Sequence, residues 1–125
     1  MKPIIIFFIS LISICSCTKD KDDQVLTLTI NNQSTDEINN LTFYVNTGFV
    51  EHSFADSINI DLVEPQKSDI INWEIKSLPK NDGSFVVRYS ISNQKNEKEF
   101  GYFSNGILVS KEYIITITKD TIMVN

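Results

Sequence analysis

The chain has 125 residues, with 11 lysines and arginines against 16 aspartates and glutamates, and so carries a formal net charge of −5 at pH 7. This length allows at most one ordinary domain once a targeting segment is set aside. The acidic balance excludes sequence-independent nucleic-acid binding, which needs a basic face to displace counterions.

The first feature in chain order is a short basic start followed by an apolar run. Lys2 supplies the positive charge, and residues 4–14 are isoleucine, phenylalanine and leucine with two serines. As a helix this run would span roughly 16 Å, well short of the ~30 Å hydrocarbon core of a bilayer. The pattern therefore predicts an export signal rather than a permanent membrane anchor.

Both cysteines follow this run, in the stretch Ile14-Cys15-Ser16-Cys17. A small residue before a cysteine, with a branched apolar residue three positions earlier, resembles the lipobox of bacterial lipoproteins. The resemblance implies cleavage after Ser16 and lipidation of Cys17, with Cys15 leaving in the signal. Because each buried methylene contributes about 0.8 kcal/mol, several acyl chains would anchor the protein stably. The alternative is a plain secretory signal that leaves Cys17 as a free thiol.

The next segment is charged and contains no apolar residue after Cys17, which predicts a flexible tether over residues 17–24. Thr18 follows the cysteine; an aspartate there would resemble an inner-membrane retention signal, so the outer membrane is favoured. The following cluster resembles the signal that displays some lipoproteins on the cell surface: Lys19, Asp20, Lys21, Asp22 and Asp23. An ordinary solvated linker is the alternative. We therefore expect a lipid-anchored protein of the bacterial outer membrane, surface-exposed or periplasm-facing.

From Val25 onward apolar and polar residues alternate with period two, which predicts strands with one buried face. Seven runs show this pattern: residues 25–31, 41–45, 57–62, 70–75, 85–91, 99–103 and 113–118. In the third run we expect Leu62 to face inward. In the sixth we expect Phe100 and Tyr102 to share one face, and Phe103 to take the other.

Turn residues separate these runs, one of the predicted turns being residues 93–96, and no helix of any length fits. Seven short strands over about 100 residues predict an all-β domain at residues 25–125, made of two antiparallel sheets. This arrangement resembles an immunoglobulin-like sandwich. A small antiparallel β-barrel is the alternative. Residues 1–16 form the signal peptide in this scheme.

Residues suited to nucleophilic or metal chemistry are scarce. His52 is the only histidine, and its neighbour Ser53 would point to the opposite side of a strand, so a hydrogen-bonded pair is not expected. Zinc needs several nearby cysteine or histidine ligands, which the chain does not supply once Cys17 is lipidated. The sequence therefore predicts no metal site and no cofactor.

Two carboxylate pairs, Glu97/Glu99 and Asp56/Asp61, are the remaining candidates for acid–base chemistry. Sixteen acidic residues in a small chain make such pairs common by chance. We therefore predict that the protein is not an enzyme, and keep a small carboxylate-dependent hydrolase as the last alternative. Arg88, the only arginine, could bind phosphate or carboxylate in a bidentate geometry, but we expect it on an ordinary solvated strand face.

The least regular stretch, residues 47–56, is the predicted location of a binding site. An aromatic patch would form here if tyrosines of neighbouring strands face outward, whereas aromatics on both sides of a strand are usually covered. The candidate binding surface consists of Phe49, Glu51, His52, Phe54, Tyr44 and Tyr102.

These features predict a lipid-anchored envelope lipoprotein that acts as a non-catalytic binding or accessory module for a protein or glycan partner. The first alternative is an inhibitor or immunity-type lipoprotein that blocks a toxin or hydrolase with a loop such as residues 47–56. Separately, the sequences around Ser57 and Thr121 resemble the short Asp-Ser/Thr-apolar pattern that some bacteria O-glycosylate in exported proteins.

Overall fold

The computed structural model describes residues 24–48 and 54–125, which contain nine strands. The strands are β1 (Val25–Asn32), β2 (Ile38–Asn46), β3 (Phe54–Val63), β4 (Ser68–Glu74), β5 (Gly83–Ile91), β6 (Gln94–Ser104), β7 (Ile107–Leu108), β8 (Glu112–Ile117) and β9 (Ile122–Val124). The predicted signal peptide, the lipidation of Cys17 and the charged cluster at residues 19–23 lie outside the described residues. The same is true of Phe49, Glu51 and His52.

The strands form two sheets that pack against each other. One has the order β4-β1-β8-β9 and the other the order β3-β2-β5-β6-β7. Neighbouring strands are antiparallel except β1 and β8, which run parallel. The predicted all-β, two-sheet sandwich is therefore confirmed. The sequence predicted seven strands because β7 and β9 have only two and three residues, too few to show alternation.

The inward sides of the two sheets form the core. In β1 the alternating residues Leu26, Leu28 and Ile30 are fully buried, as predicted. The same alternation buries Leu41, Phe43, Val45, Phe85, Val87, Ile115 and Ile117 completely. Each such side chain contributes about 1.5–3 kcal/mol by leaving water. Core packing is thus a main source of the stability of this domain.

Gly101 interrupts the alternation in β6. Phe100 and Phe103 are both buried, at 6% and 0% exposure, whereas Tyr102 is 44% exposed. The prediction that Phe100 and Tyr102 share a face is therefore wrong. Gly101 has φ +61°, and the pairing of β5 with β6 shifts register at this point, so the extra residue of a β-bulge returns Phe103 to the core side.

Two smaller predictions also fail locally. Leu62 is 42% exposed, and the next residue, Val63, is buried instead. This end of β3 lies beside a register shift in β2, where Asn40 has φ +53°, and bulges increase local twist. The turn between β5 and β6 consists of Ser92 and Asn93 alone, both with positive φ, as a two-residue hairpin turn of type I′ requires.

Candidate binding face

The outer face of the five-stranded sheet carries a pair of aromatic side chains. Tyr44 lies between the fully buried Phe43 and Val45 in β2, so its side chain points away from the core. A register shift between β2 and β3 follows Tyr44 and places Phe54 opposite Asn46. The rings of Tyr44 and Phe54 stack, with centroids 4.4 Å apart and planes 29° from parallel. Two of the predicted binding residues thus lie side by side.

Arg88 on β5 completes this cluster. Its guanidinium carbon lies 5.1 Å from the ring centroid of Tyr44 and 4.8 Å from that of Phe54. Its Nε donates a hydrogen bond to the carboxylate of Glu97, the residue opposite it on β6. This hydrogen bond raises the pKa of Arg88 above its ordinary value, so the side chain stays positively charged. Two rings and a carboxylate therefore fix the position of a guanidinium that is still partly exposed. We call Tyr44, Phe54, Arg88 and Glu97 the aromatic–arginine cluster.

A groove of about 560 Å³ adjoins the aromatic–arginine cluster on the same face. This volume falls within the ~300–1,000 Å³ typical of small-molecule sites. The groove runs over β2, β5 and the start of β6, and most of its lining residues carry a polar group. The lining residues are Asn40, Thr42, Tyr44, Arg88, Tyr89, Ser90, Lys95, Asn96 and Glu97.

The polar side chains of the groove are of two kinds. Some are held in place: the hydroxyl of Thr42, for example, accepts a hydrogen bond of 2.7 Å from the amide of Asn59. Others face solvent. Within residues 24–48 and 54–125, the side chains of Asn40, Ser90 and Lys95 have no hydrogen-bond or ion-pair partner. The groove thus combines positioned groups with groups available to a ligand.

Tyr102, the remaining described candidate, belongs to a different part of the sheet. Tyr102 is in β6, beside the start of β5. It is therefore about five residues, or roughly 16 Å along the strand direction, from Arg88. A hydrogen bond to Asp82 raises the pKa of Tyr102. The Asp82 carboxylate accepts hydrogen bonds from Ser104 and Tyr102, and both lower its pKa, the bond from Ser104 having the larger effect. Tyr102 is therefore exposed but separate from the aromatic–arginine cluster.

The two carboxylate pairs are not arranged across a cleft. Glu97 is engaged by the ion pair of the aromatic–arginine cluster, and Glu99 accepts a hydrogen bond from the Ser84 hydroxyl. Asp56 accepts a 2.7 Å hydrogen bond from a backbone N–H of the loop after β4. Asp61 is exposed five residues further along β3, which places the two aspartates on opposite sides of the strand.

The structure also places the other predicted sites. Ser57 and Thr121 are both exposed, so each hydroxyl is accessible to a modifying enzyme. Among the described residues, no group of three or more histidines, cysteines, aspartates and glutamates could hold a metal ion. The same part of the chain contains no helix long and apolar enough to cross a membrane.

Neither Arg88 nor the groove was part of the predicted binding surface. The alternation of apolar and polar residues does place Arg88 on the outward side of the run 85–91. It places Tyr44 on the outward side of the run 41–45 in the same way. What the sequence did not indicate is that β2 pairs with β5, which brings these residues together. A local signal for this pairing is absent, because the two strands are about 40 residues apart along the chain.

No protein-family model matches this sequence, and no curated protein matches it either. A solved structure does: an NMR structure of a protein from Eubacterium rectale matches with a TM-score of 0.50. The match covers 83% of this chain and 89% of that one, at 14% sequence identity. At this identity the similarity extends to the fold alone.

Proposed function

We propose that the protein is a non-catalytic binding module, anchored to the bacterial outer membrane by lipid on Cys17. Its binding face is the outer side of the five-stranded sheet, with the aromatic–arginine cluster and the adjoining groove. The observation that carries the proposal is the position of Arg88, which two stacked rings and a carboxylate hold at the border of the groove.

Such an arrangement suits binding for energetic reasons. Tyrosine and arginine are enriched among the residues that contribute most to binding energy. A side chain already fixed in place loses little conformational entropy when a ligand arrives, so more of the contact energy appears as affinity. The side chain of Arg88 is 33% exposed and that of Glu97 is 50% exposed, so both remain accessible from solvent.

The binding part of the proposal is tested by capture from solubilised envelope material. Tagged full-length protein is immobilised as the wild type, as Tyr44→Ala and as Arg88→Ala. Tyr102→Ala is the matched control, since it removes an exposed tyrosine about 16 Å from Arg88. Retained protein is read on gels, and retained carbohydrate by hydrolysis and sugar analysis. We expect the first two variants to lose what the wild type and the control retain; equal retention by all four would refute the binding face.

The anchoring part is tested on intact cells that express the protein with a C-terminal epitope. Loss of the epitope after protease treatment of unbroken cells indicates surface display through residues 19–23. Protection until the outer membrane is broken indicates that the domain faces the periplasm. Cys17→Ala should release or mislocalise the protein. Unchanged membrane association of that variant would contradict lipid anchoring.

The inhibitor alternative places the contact in a loop such as residues 47–56. One observation favours keeping it: Phe54, which lies in this segment, belongs to the aromatic–arginine cluster. Alanine substitution of Phe49, Glu51 and His52 distinguishes the two. If these changes abolish capture while Tyr44→Ala does not, the loop is the binding element.

A further inference from the structure

We infer that the groove binds an uncharged saccharide, whose apolar ring face packs against Tyr44, which lines the groove and stacks on Phe54. This inference rests on the proposed function, because it names the ligand of the same face. It follows from the chemistry of the lining, the state of its side chains and its position on the sheet.

The lining of the groove offers both hydrogen-bond donors and hydrogen-bond acceptors. Lys95 only donates, the carboxylate of Glu97 only accepts, and Asn40 and Ser90 do both. A sugar hydroxyl also donates and accepts, so it can pair with any of these groups. Arg88 and Glu97 are paired, so their charges largely cancel, and Lys95 is the one charged side chain of the lining without a partner among the described residues. A single exposed ammonium contributes little binding energy by charge alone. Hydrogen bonding therefore dominates what the lining offers, and this suits a neutral polyhydroxylated ligand.

Several of these groups are available without breaking an existing bond. The side chains of Asn40, Ser90 and Lys95 have no partner among the described residues and are hydrated in the free protein. A ligand that replaces their water with hydroxyl groups keeps the number of hydrogen bonds nearly constant. The net gain then comes from ring packing and from the release of ordered water.

The position of the groove disfavours a peptide ligand. It lies over β2, β5 and the start of β6, and β2 and β5 each pair with a strand on both sides, so their backbone groups are already hydrogen-bonded. A peptide that added a strand to the sheet would do so at an edge, along β3 or along the start of β6 that β7 does not pair with, and so beside the groove rather than across it. The groove lining also contains no aliphatic side chain, whereas protein partners are usually anchored in a well-packed apolar pocket. Side-chain recognition of a sugar fits both observations.

Affinity electrophoresis tests the inference with defined probes. Full-length protein in mild detergent is run on native gels that contain mannan, dextran, xylan or galactan, and on a gel containing heparin. We expect at least one neutral polysaccharide to retard the wild type. Tyr44→Ala and Lys95→Met should each weaken this retardation by about tenfold. Tyr102→Ala and Lys119→Met, which remove the same residue types elsewhere, should bind like the wild type.

The outcomes separate the inference from the proposed function. Retardation by heparin alone would overturn the inference in favour of an anionic ligand. Envelope capture that depends on Tyr44 but retains protein without carbohydrate would overturn it in favour of a protein partner, and would leave the binding module standing. Wild-type behaviour of Tyr44→Ala in both experiments, together with wild-type capture by Arg88→Ala, would refute the binding face itself.

Discussion

Replacing Gly101 with alanine tests the β-bulge that sets the inward side of β6. Gly101 has φ +61°, a left-handed conformation that costs a residue with a Cβ about 1–2 kcal/mol. A Cβ at this position would also lie 2.7 Å from both Cζ and Oη of Tyr113, closer than real Cβ atoms approach. Two effects therefore destabilise the variant: backbone strain and the displacement of a packed ring.

The second effect is substantial because Tyr113 is itself packed. Its ring centroid lies 5.3 Å from that of Phe100 and 6.4 Å from that of Phe85. Forcing extra volume into a packed site typically costs about 1–3 kcal/mol. The backbone strain and this packing cost add up, so we expect Gly101→Ala to lower the free energy of unfolding by about 2–5 kcal/mol.

Gly48→Ala is the matched control. Gly48 has φ +71°, but a Cβ there would meet nothing within 4 Å, so this variant pays only the backbone cost. Urea unfolding of both variants, followed by tryptophan fluorescence, gives the comparison. We expect Gly101→Ala to be less stable than Gly48→Ala by about 1–3 kcal/mol. Equal losses would show that Tyr113 does not crowd Gly101, and would refute the packing described for the bulge.

Three further variants test other parts of the structure. The two amide N–H groups of the buried Asn32 are shared among three backbone carbonyls, among them that of Val63 at 3.1 Å. Asn32→Ala should therefore lower the free energy of unfolding, measured in urea, by about 2–4 kcal/mol. A loss below about 1 kcal/mol would contradict this network. The pKa of Asp82 is lower in the folded protein than in the unfolded chain, where it is near 4. This difference stabilises the fold at pH values above the unfolded pKa, and the stabilisation is lost as the pH falls through the folded pKa. Thermal unfolding of Asp82→Asn should therefore differ from the wild type at neutral pH and converge with it in acid; a constant difference would count against this linkage. Arg88→Met should lower the free energy of unfolding by only about 1–2 kcal/mol, because the ion pair that it removes is exposed and partly screened by salt. If this variant is unfolded instead, the aromatic–arginine cluster is mainly structural.

The strands were predictable wherever one face is continuously buried. Leu26, Leu28 and Ile30 show this in β1, because period-two burial leaves its pattern directly in the sequence. The prediction failed at Gly101, where one extra residue reverses the alternation. A single glycine in a strand does not indicate by itself whether it forms a bulge, so the reversal was not visible in the sequence.

The candidate site was predictable only in part. Tyr44 and Phe54 were named because an irregular segment near outward aromatics suggested a surface. Arg88 was expected to be merely solvated, yet it packs against both rings. This contact depends on which strands are neighbours in the sheet, and strand order results from long-range packing that local patterns do not encode.

An NMR titration tests the binding face most directly. Isotope-labelled full-length protein is titrated with the material that the wild type retains from solubilised envelopes, and amide shifts are followed residue by residue. We expect the largest changes at Asn40, Tyr44, Arg88 and Lys95. Changes centred instead on Tyr102, or on the outer side of the β4-β1-β8-β9 sheet, would contradict this expectation.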